Sequence, residues 1–161
     1  MLDILTPAGQ KTLADEQVVA ESFTRQTGIL YIQTPKKLPA VCDALLVRND
    51  ILVGLAETKC RYDIPDMEFW RERYKSEWLI TFSKVTRNCY LADGLCVPLV
   101  GILYIVKPKI FLVKRIYDGE KKSWVARVKT EQSVTQAGVN GGSADRMNVL
   151  VDMRDAKQYA L

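Results

Sequence analysis

Val41-Cys42-Asp43-Ala44-Leu45-Leu46-Val47-Arg48-Asn49-Asp50-Ile51-Leu52-Val53-Gly54-Leu55-Ala56-Glu57-Thr58-Lys59-Cys60 is the stretch on which the reading of this chain turns. Val41–Val47 and Ile51–Cys60 are rich in β-branched and apolar residues and flank Arg48-Asn49-Asp50, a turn signal. The pair reads as a β-hairpin. Both runs are apolar at nearly every position, as expected of strands covered on both faces. Into this apolar setting the sequence places Asp43, Glu57 and Lys59. A buried charge is costly unless it is paired or binds a metal, so three of them in adjacent strands require a reason.

Spacing supplies one. Residues i and i+2 of a strand share a face, so Glu57 and Lys59 lie side by side. If Asp43 points to that face from the neighbouring strand, two carboxylates and an ammonium meet in one place. Two carboxylates repel unless a cation sits between them, and a hard divalent cation such as Mg²⁺ favours such an oxygen environment. The register is conditional. A two-residue Asn49-Asp50 turn alone sets Asp43 opposite Ala56, on the wrong face. The reading therefore requires a three-residue connection, or a bend or bulge near Asp43.

Ahead of the hairpin, Leu13–Thr27 reads as a helix. Asp15 and Glu16 suit its first turn, Arg25 its last, and Gly28 its stop. Ile29–Gln33 is a short β-rich run, followed by the basic loop Thr34-Pro35-Lys36-Lys37. Beyond the hairpin, Asp66–Ala92 reads as one long helix or two with a kink, begun near Pro65 and ended near Gly94. Strands are expected over Leu99–Val106, Ile110–Ile116, Ser123–Lys129 and Val149–Met153, with a Gly-rich loop at Val139–Ser143. The expected architecture is one α/β domain over 1–161: a mixed sheet with a helix on each side and a C-terminal β-rich appendix.

Bulk properties narrow the function classes. A chain of 161 residues is long enough for one real core. No apolar run approaches the ~20 residues needed to span a bilayer, so no membrane partner is expected. Met1–Pro7 lacks a basic region followed by an apolar stretch, so no signal peptide is read and a cytoplasmic location is expected. The net charge of +4 is compatible with a polyanionic partner without establishing one. The chain has no histidine, which removes Ser-His-Asp and Cys-His hydrolases and every nuclease with a histidine base or ligand. Cys42, Cys60, Cys89 and Cys96 form no C-x-x-C pair, so neither zinc nor an iron–sulfur cluster is expected. Acid–base or metal chemistry must come from carboxylates and lysine.

Asp43, thirteen intervening residues and then Glu57-Thr58-Lys59 resemble the D…E-x-K core of the PD-(D/E)XK, restriction-endonuclease-like nuclease superfamily. The family core is helix, three antiparallel strands, helix, strand, with the metal site at the middle hairpin. The order of elements here is similar through about Val113. The resemblance implies a Mg²⁺- or Mn²⁺-dependent deoxyribonuclease that leaves a 5′-phosphate and a 3′-hydroxyl. Asp43, Glu57 and the backbone carbonyl of Thr58 would hold metal, and Lys59 would orient the water. A glutamate on the first helix often joins the metal shell in the family, and the resemblance implies that role for Glu21. Small members of the family include phage-encoded endonucleases and junction resolvases, many of them homodimers, which would place a phage-encoded protein in the host cytoplasm. Two departures stand out. Cys42 occupies the place of the proline before the aspartate, and the Q-x-x-x-Y element of the exonuclease branch is absent after Lys59.

For contacts to DNA phosphates the candidates are Arg61, Lys84, Lys36 and Lys37. Interleaved acids make a solvated helix face the simpler reading for Arg71, Arg73 and Lys75. Trp78 is assigned to core packing, in helical phase with Leu79 and Phe82. A bland alternative remains for the motif: Glu57 and Lys59 as an edge-strand pair, with Asp43 capping a turn. Other function classes are a DNA exonuclease, a catalytically silent nucleic-acid-binding module of the same fold, and an assembly protein with no nucleic-acid role.

Overall fold

A computed structural model describes residues 3–161. After a 3-10 turn at Asp3–Leu5, helix α1 spans Pro7–Thr27. It starts six residues earlier than Leu13, the expected start, because Thr6-Pro7 forms a better beginning. The Thr6 side chain caps the backbone N–H of Gly9 at 3.1 Å, and Pro7 stands where a missing N–H costs nothing. Asp15 and Glu16 consequently lie in mid-helix. Gly28 ends it in the left-handed region, φ 70°, with its N–H bonded to the Thr24 carbonyl.

Strands β1 (Leu30–Gln33), β2 (Ala44–Arg48) and β3 (Ile51–Arg61) follow as an antiparallel series. Helix α2 (Met67–Arg73), strand β4 (Glu77–Thr81) and helix α3 (Phe82–Leu95) occupy the region expected to be helical throughout. The expectation fails at Trp78-Leu79-Ile80-Thr81. Trp78 and Ile80 are buried and alternate with half-buried neighbours, a period of two rather than 3.6. Lys75 and Ser76, both at positive φ, break the helix ahead of them. Gly94 lies inside α3, and Cys96 supplies the left-handed cap, φ 52°.

Strands β5 (Pro98–Ile105) and β6 (Ile110–Asp118) come next, then β7 (Ser123–Trp124), β8 (Val128–Gly138), β9 (Gly141–Asp152) and β10 (Lys157–Ala160). The central sheet runs β1-β2-β3-β5-β6-β10, with β7 also on β6. All its pairings are antiparallel except β3 with β5. The C-terminal segment is β-rich but is no appendix. β9 sits between β4 and β8 in a second sheet, and β10 closes the central sheet against β6. The expected Ser123–Lys129 strand is split in two, and the Val149–Met153 strand is the end of the longer β9.

The central sheet separates two cores. On one face α1 lays Val19, Ala20 and Phe23 over Ala44, Leu46, Ala56 and Ile102. On the other, Val85, Cys89 and Ala92 of α3 and Trp78, Val149 and Val151 of the second sheet cover Leu55, Leu99 and Leu103. Each such large side chain contributes about 1.5–3 kcal/mol on full burial. A glycine permits the closest approach: a Cβ at Gly101 would stand 2.4 Å from the Trp78 ring. The fold is thus a mixed α/β one, with helices on both faces of a largely antiparallel sheet.

Candidate active site

The hairpin solves its register problem with a bulge. Asn49 and Asp50, at φ 51° and 61°, make the tight two-residue turn, and Arg48 pairs with Ile51. That register would have misplaced Asp43. Between Leu46 and Val47 it shifts: Val47 faces Leu52, whereas Leu46 faces Gly54, leaving Val53 extra. Ala44 then faces Ala56, and by continuation Asp43 faces Glu57. The bulge lies on the turn side of the hairpin rather than at Asp43 itself.

Alternation along β3 sends Leu55 toward the α3 face and Ala56 toward the α1 face, so Glu57, Lys59 and Arg61 follow Leu55. β2 ends opposite Ala56, while β3 continues to Arg61 alongside Gly101–Ile105 of β5. The last five residues of β3 therefore have a neighbour on one side and an opening on the other. Asp43 stands at that opening. Its backbone is pinned by Thr34, whose N–H donates to the Asp43 carbonyl at 2.9 Å.

Acids and lysines alternate through the site. Asp43 Oδ2 accepts from the Thr58 backbone N–H at 2.8 Å, and Asp43 Oδ1 accepts from Lys36 Nζ at 2.9 Å. Lys36 Nζ also lies 3.1 Å from Glu16 Oε2. Lys84 of α3 reaches in from the other side, 3.7 Å from Asp43 Oδ2 and in direct contact with Glu57 Oε1. Asn88, one turn further along α3, donates to Glu57 Oε2 at 2.9 Å. The Asn88 Oδ1 is buried and has no hydrogen-bond partner among the described residues.

Burial separates the titrating groups. Glu57 is only 3 % exposed, and burial, then the Asp43 charge, push its carboxyl up to about 7 despite Lys84 and Asn88. For Asp43 burial is outweighed by Lys84, Lys36 and the Thr58 N–H, which hold it below the usual carboxylate range. Burial raises Glu16 against the pull of Lys36. Lys36 and Lys84 resist burial because carboxylates flank them, and both are raised. Much of the Lys59 side chain meets solvent. The protein crowding its ammonium, followed by Lys84 and Arg61, nevertheless lowers its pKa.

Asp43 and Glu57 come together as the sequence reading required, with Lys59 beside Glu57 on the strand, whereas Lys84, expected only as a contact to DNA phosphates, stands between the two acids. Glu21 does not join them. It is exposed and accepts a hydrogen bond from Gln17. Glu16 is the α1 carboxylate at the site, roughly 140° around the helix from Glu21. The signal for it was present, because Glu16, Val19, Ala20 and Phe23 form one i, i+3, i+4, i+7 stripe. Asn88 was missed too. It is the polar member of the buried α3 stripe Val85, Asn88, Cys89, Ala92. Arg61 is committed to Asp63, with contacts of 3.0 and 2.8 Å, and lies over the Tyr74 ring. Lys36 is engaged by Glu16 and Asp43, and Lys37 is exposed.

Among the described residues no three acidic, histidine or cysteine side chains converge as a ready-made ligand group. Two carboxylates converge, with a lysine between them. No helix among the described residues is long and apolar enough to cross a membrane. Comparison with protein-family models gives no match, and comparison with curated proteins gives none either.

Proposed function

We propose that this chain is a metal-dependent nuclease of the PD-(D/E)XK type, hydrolysing DNA phosphodiester bonds as an endonuclease. The observation that carries this reading is the bulged hairpin, which turns the Asp43 carboxylate onto the face of Glu57 and Lys59. The succession α1, β1–β3, α3 and β5 supports a restriction-endonuclease-like core, although α2 and β4 intervene before α3.

The donor set fits a hard divalent cation, Mg²⁺ or Mn²⁺. Asp43 and Glu57 offer carboxylate oxygens. The N–H and C=O of one strand residue leave on the same side, so the Thr58 carbonyl is directed, like its N–H, toward Asp43. Glu16 replaces Glu21 as the first-helix acid, standing behind Lys36. Bound there, the metal supplies charge for a phosphoryl oxygen and a more acidic water. Lys59 hydrogen-bonds the attacking water and counters negative charge building on the phosphoryl oxygen. Cleavage of the P–O3′ bond gives a 5′-phosphate, and the leaving oxygen takes a proton to become the 3′-hydroxyl. Lys84 and Lys37 are the phosphate contacts, whereas Arg61 is held by Asp63.

Lys84 favours one other reading. An ammonium already neutralising Asp43 and Glu57 suits a catalytically silent nucleic-acid-binding module. Incubation of labelled plasmid, duplex, single-stranded and junction DNA with Mg²⁺, Mn²⁺ or EDTA separates the two. Metal-dependent cutting identifies the nuclease; salt-sensitive binding without cutting identifies the module.

A further inference from the structure

Lys84 contacts both acids of the proposed metal site, and its side chain is 46 % exposed although its ammonium end lies between them. The four carboxylate oxygens are all engaged. Asp43 Oδ1 holds Lys36, Asp43 Oδ2 holds the Thr58 N–H and Lys84, Glu57 Oε1 holds Lys84, and Glu57 Oε2 holds Asn88. Among the described residues, only Lys84 touches both acids. A dication within reach of Asp43 Oδ2 and Glu57 Oε1 would stand against the Lys84 ammonium, and the two charges repel strongly at such distances.

We infer that Lys84 is a tethered counter-ion occupying the place of the divalent cation, so that metal binding requires Lys84 to withdraw. This inference rests on the metal-site reading above. The geometry permits the exchange. Lys84 lies in the first turn of α3, its four-carbon stem is partly solvated, and no other acid among the described residues pairs with it. Asn88 does not need to move, because its amide holds the other Glu57 oxygen. Before metal arrives, Lys84 removes the repulsion between two buried carboxylates. Afterwards its ammonium lies beside the site, free for a phosphate.

The test is Mn²⁺ affinity without nucleic acid, read by calorimetry and by the loss of the free-Mn²⁺ paramagnetic resonance signal. Lys84→Met should bind Mn²⁺ at least about tenfold more tightly than the unaltered protein. Lys37→Met, which removes an equal charge outside these contacts, should change affinity far less. Should Lys84→Met not fold without metal, Lys84→Gln replaces it, keeping a donor for Glu57 while removing the charge. Equal or weaker binding by the folded Lys84 variant, or an equal gain in Lys37→Met, overturns the inference and leaves the metal site standing. Absence of Mn²⁺ binding in every variant overturns both.

Discussion

Asp43 Oδ2 accepts a hydrogen bond at 2.8 Å from the backbone N–H of Thr58, the residue between Glu57 and Lys59. The contact ties the loop before β2 to the end of β3 where the E-x-K residues emerge. Asp43→Asn keeps the size but can offer only its amide oxygen to the Thr58 N–H, and it removes the charge that Lys36 and Lys84 face. Metal-dependent cleavage by Asp43→Asn should fall by about 10²-fold or more, and Lys59→Ala by roughly 10²–10³-fold. Single-turnover rates at saturating Mg²⁺ check both.

Glu16 and Glu21 lie on one helix with opposite fates. Glu16→Gln removes a partner of Lys36 and should weaken Mn²⁺ binding and cleavage several-fold. Glu21→Gln should leave both unchanged, since its exposed carboxylate is hydrogen-bonded to Gln17 and, among the described residues, to none of the site residues. A loss in Glu21→Gln with none in Glu16→Gln would return the first-helix acid to Glu21.

How much of this was legible follows from which interactions are local. The hairpin, its turn and the three charges could be read because strand alternation and turn chemistry lie within twenty residues of chain. The need for an irregularity in the hairpin was legible from parity alone, but its place was not. Val53 and its neighbours are uniformly apolar, so nothing in the sequence marks where the register slips. β4 was misread because Trp78–Thr81 fits helical and strand periods alike over so few residues. Its strand form depends on β9, some seventy residues later. Glu16 was lost through a boundary error. With α1 begun at Leu13, Glu16 looked like a first-turn acid facing a dipole rather than a member of the buried stripe.

The Glu57 carboxyl sets a pH dependence whose sign is fixed. Its pKa rises from an ordinary 4.5 to about 7 in the metal-free fold. The folded state thus holds a proton that the unfolded chain has released between these values. Stability from this group is complete below about 4.5 and is lost as pH rises through about 7. Asp43, depressed, acts oppositely in a lower window: its contribution is present above 3.8 and is lost as pH falls through its folded value. Urea unfolding from pH 5 to 8 should show stability declining in metal-free protein, with the decline flattened in Glu57→Gln. An unchanged slope in that variant would remove Glu57 as its source.

Gly101 pairs with Glu57 across the parallel β3–β5 register and lies under the Trp78 ring. Gly101→Ala drives a methyl into that ring and should cost about 1–3 kcal/mol. Thermal unfolding measures the loss. Trp78→Leu in the same chain should recover part of it, because the two positions share one contact.

Mg²⁺-dependent cleavage of DNA by the unaltered protein beside Glu57→Gln and Lys59→Ala tests the nuclease assignment. Cutting by the unaltered protein, abolished by EDTA and by either substitution, with 5′-phosphate ends, is the predicted result. Cutting that persists at full rate in Glu57→Gln, or no cutting of any DNA form with either metal, would contradict a metal-dependent nuclease centred on Asp43 and Glu57.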